Sequence, residues 1–293
     1  MRIPEEILNA AERQLNADCG ITGAEKEGMI VTAKNGTMLR RAPYFPPKAY
    51  MTDTAYGGLV REMLEKETGI CPRIYEGIDP FFRGIVFMGK VRILAAEEIF
   101  SWCVKEYGNL KNPEWLCQFL SLSRLDAMLR RYGRKIEDVR LNFLPGEREN
   151  KEEAAASEDI PASLEVRLLE AEELEERKSR GGFGGTFRHA VCGSLLMPDA
   201  LAAAAILDGR IVGVAGATQD CGLMWQIGVD VESAQRGRGI SSVLVRFLKN
   251  EILGRGKIPF YATSQSHVIS MDTAVSAGFL PAWSEIYVSS GRY

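Results

Sequence analysis

A chain of 293 residues, 46% hydrophobic and 26% charged, has the composition of a globular protein with room for two domains of ordinary size. Its net charge of -3 provides no overall basic field, so a nucleic-acid partner is not expected. The six cysteines (Cys19, Cys71, Cys103, Cys117, Cys192, Cys221) lack zinc-ligand or Cys-x-x-Cys spacing and have only His189 and His267 to help them, so reduced thiols and no metal are expected.

Pro4, followed by Glu5 and Glu6, is a helix start, and Ile7, Leu8, Ala11 and Leu15 keep helical spacing until Gly20. No secretory signal precedes it, and the longest apolar stretch, Ala200 to Leu207, is too short to span a bilayer. A cytoplasmic protein with no membrane partner is the expectation. Met29–Ala33 and Thr37–Arg41 read as strands joined through Lys34-Asn35-Gly36, an Asn-Gly hairpin signal. Tyr56-Gly57-Gly58 reads as a flexible turn. Strands are expected over Ile85–Met88, Lys90–Leu94 and Val139–Leu144, and helices over Ala95–Tyr107 and Leu122–Tyr132. The first 145 residues are thus an α/β or α+β domain without a catalytic motif.

From residue 146 to 163 the chain is acidic and poor in apolar residues, with Glu147, Glu149, Glu152, Glu153, Glu158 and Asp159 around Ala154-Ala155-Ala156. This predicts a solvated linker and a second domain over 164–293. In that domain Leu164–Leu169 alternates as a strand and Glu170–Lys178 is a charged helix, followed by a glycine-rich loop over Arg180–Gly185. Leu201–Leu207 and Arg210–Ala217 form a hairpin closed by Asp208-Gly209. Then come a strand Leu223–Val231, a helix from Ile240 to about Leu253, a strand Ile258–Thr263, a helix around Ser270–Ala277 and a last strand near Ser284–Val288.

The segment from Val229 to Ser241 ends a strand, turns through Arg236-Gly237-Arg238-Gly239 and opens an amphipathic helix. Glycines let the backbone close on a ligand, and the first amides of a helix are unpaired, so the segment suits a diphosphate. A dinucleotide-binding turn would need a further glycine at Ser242 and an acidic residue ending the next strand, which ends Ala262-Thr263-Ser264. No Gly-Lys-Ser/Thr of a P-loop follows.

The segment resembles the acyl-CoA signature of the GNAT superfamily, R/Q-x-x-G-x-G/A, with Arg236 first, Gly239 central and Ser241 where the family prefers Gly or Ala. His267-Val268-Ile269-Ser270 stands at the family's N-x-x-S, and Ala277-Gly278-Phe279 at its closing LGF. Over the whole chain there is a weaker likeness to two-domain bacterial GNAT proteins. The resemblance implies a mixed, mostly antiparallel central sheet flanked by helices over 164–293. It also implies acetyl-CoA as cosubstrate, held at its pyrophosphate by Gly237, Arg238, Gly239, Ile240, Ser241 and Ser242, with Ile227, Val229 and Val231 offering main-chain groups to the pantetheine arm.

The reaction so implied is direct attack of a primary amine, small molecule or peptide, on the thioester. Of the residues on the strand before the turn, Gln226, Asp230 and Glu232, Asp230 has the chemistry of a base for the amine. Many relatives carry a tyrosine acid four residues after the Ser of N-x-x-S; Ala274 stands there, which leaves His267 and Ser270 as candidate proton donors. Arg246, Lys249, Arg255 and Lys257 lie around the helix and its exit, where a 3′-phosphate could meet them. A CoA-binding sensor or interaction protein without turnover is the alternative that Ala274 keeps open. A second copy of the chain is an open possibility as a partner.

Overall fold

Glu5 and Glu6 lie at the positive end of the first helix, and its apolar stripe lies inward. In the computed structural model this helix, α1, runs Glu5–Asp18, with Ala11 and Leu15 fully buried. The structure describes residues 2–22, 30–32, 36–43, 53–75, 80–147, 160–181, 183, 185–193 and 196–289. By its internal contacts the chain divides into two units, Met1–Leu8 with Phe143–Pro281 and Asn9–Asn142 with Ala282–Tyr293. Residues 148–159, most of the expected linker, lie outside the described residues. The contact-based division therefore differs from a simple cut there: the first eight residues group with the C-terminal unit, and the last twelve with the N-terminal one.

The N-terminal unit builds its sheet from β1 (Ile30–Thr32), β2 (Thr37–Arg41), β3 (Pro80–Phe87), β4 (Lys90–Ala95), the 139–142 part of β5 (Val139–Pro145) and the 282–289 part of β11 (Phe279–Ser289). β1 and β2 pair antiparallel, β2 and β4 parallel, β3 and β4 antiparallel, and β3 and β11 antiparallel. α3 (Glu97–Tyr107) and α4 (Phe119–Arg130) bring Ile99, Phe100, Tyr107, Leu125 and Leu129 to a core with Phe82, Val91, Ile93 and Ile286. Tyr56-Gly57-Gly58, expected as a turn, is instead inside α2 (Asp53–Thr68). Val60 and Leu64, one helical turn apart, are buried with Ile74, and that burial outweighs the roughly 1 kcal/mol a helical glycine costs.

The C-terminal unit carries the expected mixed, mostly antiparallel sheet flanked by helices. Its strands are β6 (Glu165–Glu170), β7 (Asp199–Leu207), β8 (Arg210–Thr218), β9 (Met224–Val231) and β10 (Ile258–Ser264), in that spatial order. All neighbouring pairs are antiparallel except β9 with β10. The β7–β8 turn places Asp208 at φ 50° and Gly209 at φ 75°, the two positive angles a tight hairpin needs. β7 is buried on both faces, which explains its run of alanines: Ala202, Ala203, Ala204 and Ala205 are inaccessible. α5 (Ala171–Ser179) packs against β6 and β7, and α6 (Ile240–Gly254) packs on β7, β8 and β9 through Ile240, Leu244, Val245, Leu248 and Ile252. α7 (Val268–Ser276) lies against α6 and β10.

Candidate acyl-transfer site

β9 and β10 start as a parallel pair and part early. Their register runs Ile258↔Met224 to Tyr261↔Ile227 and stops there, although β9 continues to Val231 and β10 to Ser264. β9 stays paired with β8 as far as Val231. Among the described residues, Gly228 to Asp230 therefore keep one edge without a strand neighbour, a local opening of the sheet. Ile227 belongs to the last β9–β10 pair, and Val229 lies beyond it. Val231 ends the strand, and its carbonyl is taken by Arg236 Nε at 3.1 Å.

After β9 a 3-10 turn, Ser233–Gln235, leads to the glycines. Gly237 has φ 79°, and Gly239, at φ 74°, is the left-handed residue capping α6. A Cβ on Gly237 would meet open space, so this side of the turn faces outward. Among the described residues no carbonyl or side chain accepts from the amides of Gly237, Arg238, Gly239, Ile240, Ser241 or Ser242; the first to be used is Val243, which donates to the Gly239 carbonyl. Six neighbouring donors at the positive end of a 15-residue helix form an anion cradle. Arg236 and Arg238 are tied back, Arg238 to Gln235 Oε1 at 2.6 Å, so backbone rather than guanidinium lines the turn.

Strand alternation sorts the side chains of β9 onto two faces. A Cβ on Gly213, which is paired with Val231, would meet Leu244 and Ile240, so Ile227, Val229 and Val231 share the α6 face. Tyr261, paired with Ile227, shares it too, and its hydroxyl lies 2.8 Å from Ser270 Oγ in the first turn of α7. Ser241 Oγ, in the first turn of α6, lies 3.3 Å from Thr273 Oγ1 on α7. α7 thus meets the start of α6 through Thr273 and the Tyr261 hydroxyl through Ser270. Burial pushes the Tyr261 phenol up, the Ser270 hydrogen bond opposes that, and the charge of Asp230 adds to it. The ring itself packs between Phe143 and Phe279.

The opposite face holds Gln226, Gly228 and Asp230 and is crossed by the 187–191 loop. Gly216 and Gly228 are cross-strand partners, and a Cβ on either would fall within 2 Å of a loop carbonyl, Ala190 O at 1.7 Å or His189 O at 1.9 Å. The paired glycines are what lets the loop lie on the sheet. Asp230 Oδ2 then clamps it, accepting from the amides of His189 at 2.7 Å and Ala190 at 3.1 Å.

Of the residues expected from sequence, Ser270 joins the cradle face and Asp230 lies on the loop face. His267 is exposed at the N-cap of α7, where its carbonyl accepts from Ser270 and Met271 while its ring makes no cap. Ala274 is buried. The basic residues around α6 are engaged elsewhere: Arg246 with Ser276 O, Lys249 with Ala277 O, Arg255 with Glu251 and Glu170, and Lys257 with Gly222 O. Tyr261 is not among the residues expected from sequence, where Ile258–Thr263 reads simply as a strand. The signal was available: a tyrosine in a buried strand must place its hydroxyl against a partner.

No family model and no curated protein sequence matches the chain. Among solved structures, a GNAT-family acetyltransferase from Colwellia psychrerythraea is 10% identical, with 98% of this chain and 97% of that one covered and a TM-score of 0.40. A GCN5-related N-acetyltransferase-like protein from Streptococcus suis is 17% identical over 57% of this chain and 68% of that one, with a TM-score of 0.38. An aminoglycoside N-acetyltransferase in complex with CoA is 18% identical over 41% of this chain and 89% of that one, with a TM-score of 0.30. Likenesses at this level carry no conclusion, so the functional reading rests on the site's own geometry.

Proposed function

We propose that the chain is an acetyl-CoA-dependent N-acetyltransferase of the GNAT kind, acting on a primary amine. The observation that carries this reading is the combination of six unpaired amides at the start of α6 with a sheet that opens beside them. The first suits a diphosphate and the second an extended amide-bearing arm. The R-x-x-G sequence from Arg236 to Gly239 and the element order around it agree with the superfamily resemblance.

Gly237 to Ser242 would hold the pyrophosphate, and the free edge of β9 around Val229 would pair with the pantetheine amides. When bound, acetyl-CoA supplies the acyl carbonyl and a thiolate leaving group. The chain's own part is to align the amine, keep its entry side fixed and deliver a proton on the α6 face. Tyr261, with Ser270 as its hydrogen-bond partner, is the group placed to hold that proton; a phenol pushed up by burial stays protonated at neutral pH. Asp230 sits on the other face. Its Oδ2 anchors the loop that walls the amine side, so we assign it an anchoring role first, with Oδ1 left to meet the amine. His267, exposed and without a cap, is assigned no proton transfer.

Gly239→Val tests the reading, because a β-branched residue at φ 74° both strains the turn and fills the cradle. Acetyl-CoA affinity measured by calorimetry should fall by about 100-fold, or roughly 2.7 kcal/mol, in a variant that keeps its far-UV spectrum. Unchanged affinity would remove the cradle from the account. A wild type that binds acetyl-CoA but turns over none of a panel of small and peptide amines is instead a CoA-binding sensor, the alternative that Ala274 keeps open.

A further inference from the structure

α4, in the N-terminal unit, is anchored inward by Leu125 and Leu129, both inaccessible, and Leu116 is buried just before it. Its outward side is unusual. Phe119 is 85% exposed, Leu120 62% and, four residues before Phe119, Trp115 40%. Isolated exposed apolar residues are ordinary; three within six positions, two of them aromatic, are a patch. Leu120, Arg124, Ala127 and Arg131 then follow at helical spacing along one outward line, with Arg130 beside them. Between residues 105 and 135 there are seven Lys and Arg against three Asp and Glu, in a chain whose net charge is -3. Arg124 and Arg130 pair with Glu106 and Asp126 at the surface, while Lys105, Lys111 and Arg131 are exposed and meet no carboxylate among the described residues.

We propose that this face of α4 is a docking surface for an anionic lipid bilayer, with Trp115, Phe119 and Leu120 entering the interface and Lys111 and Arg131 meeting the headgroups. A protruding apolar pair flanked by cations fits a partner that is anionic at its surface and yielding and apolar beneath. Nucleic acid fits less well, since leucine offers nothing to stack on a base. No described helix is long and apolar enough to cross a membrane, and a contact lying in the interface needs none.

The test uses the full-length chain and sedimentation with vesicles of phosphatidylcholine, alone or with about one third phosphatidylserine. Binding should be at least ~10-fold stronger to the anionic vesicles and weaken with salt. The double variant Phe119→Ser/Leu120→Ser should lose ~10-fold or more of it, and Arg131→Glu a few-fold together with part of the salt dependence. These side chains are exposed, and an unchanged melting temperature will show that the fold is intact. Equal binding to both vesicle types, no binding at low salt, or full binding by the double variant overturns the proposal. So does a dimer of the wild type that the double variant loses while neither binds vesicles; the patch is then a self-interface.

Discussion

The two units differ in where their most telling polar groups lie, one in a buried cluster of charges and the other along open backbone. In the N-terminal unit, Asp18, Arg73, Arg83 and Glu285 are inaccessible and answer one another: Arg73 reaches Asp18 at 2.6 Å and Glu285 at 3.1 Å, and Arg83 reaches Glu285 at 2.9 Å. Trp283 Nε1 donates to Glu285 as well, at 3.1 Å. Two cations and two carboxylates balance, and the Asp18 and Arg73 carbonyls take further bonds from Arg83. In the C-terminal unit the telling groups are backbone amides at the start of α6 and main-chain groups along the edge of β9, which meet no partner among the described residues. A buried charge that is answered holds a fold in one arrangement, whereas a donor left open at the surface is available to a ligand.

The largest effect should come from breaking the balanced cluster. Glu285→Gln leaves two buried guanidinium groups short of charge and should cost about 3–5 kcal/mol in urea unfolding. The pH dependence has a definite sign. Burial alone would raise the Glu285 carboxyl, but Arg73 and Arg83 hold it down at about 2, against 4.5 for a free one. Its stabilisation is therefore complete above pH 4.5 and is lost as pH falls from 4.5 towards 2, and the variant should show a flatter acid limb. An acid limb identical to wild type would mean that the cluster is not balanced as described.

On the open side of the comparison, Tyr261→Phe removes a hydroxyl and leaves the ring packing in place. We expect kcat to drop about 10- to 100-fold with the acetyl-CoA KM within a factor of two, because a proton donor is needed only as the thiolate departs. Retention of full kcat would assign that proton to water.

Smaller effects sharpen the roles of Asp230 and His267, two of the three residues that sequence put forward for proton transfer. Asp230→Asn keeps an oxygen for the His189 and Ala190 amides, so a purely anchoring role predicts less than a threefold loss of kcat/KM at both pH 7 and pH 9. A loss concentrated at pH 7 would restore Asp230 as a base, since more of the amine is already neutral at pH 9. His267→Ala should change neither kcat nor CoA affinity by more than about twofold.

The acidic stretch offers a last, structural measurement. Limited proteolysis should cut first between residues 147 and 163, as its composition suggests. Gel filtration should then return the two fragments as one particle. Residues 282–289 of β11 remain hydrogen-bonded to β3, and only denaturant should release them. Fragments that separate freely would point to a domain boundary at the linker alone. For the same reason residues 1–145 expressed by themselves lack a strand of their own sheet.

What the sequence determined by itself is local. The Asp208-Gly209 hairpin, the helix beginning at Ile240, the succession of strands and helices along the C-terminal half and the glycine turn from Arg236 to Gly239 all follow from spacing and turn chemistry, which act over a few residues. Tertiary structure alone decided the rest. Gly216 and Gly228 have meaning only as cross-strand partners beneath a loop 25 residues or more away in sequence, and Tyr261 only once α7 brings Ser270 to its hydroxyl. Glu285 reads as one more charge on a strand until Arg73 and Arg83, about 200 residues away, close around it. Local patterns are written along the chain; pairings across it appear only when burial removes water and obliges each polar group to find a partner, or leaves it open for a ligand.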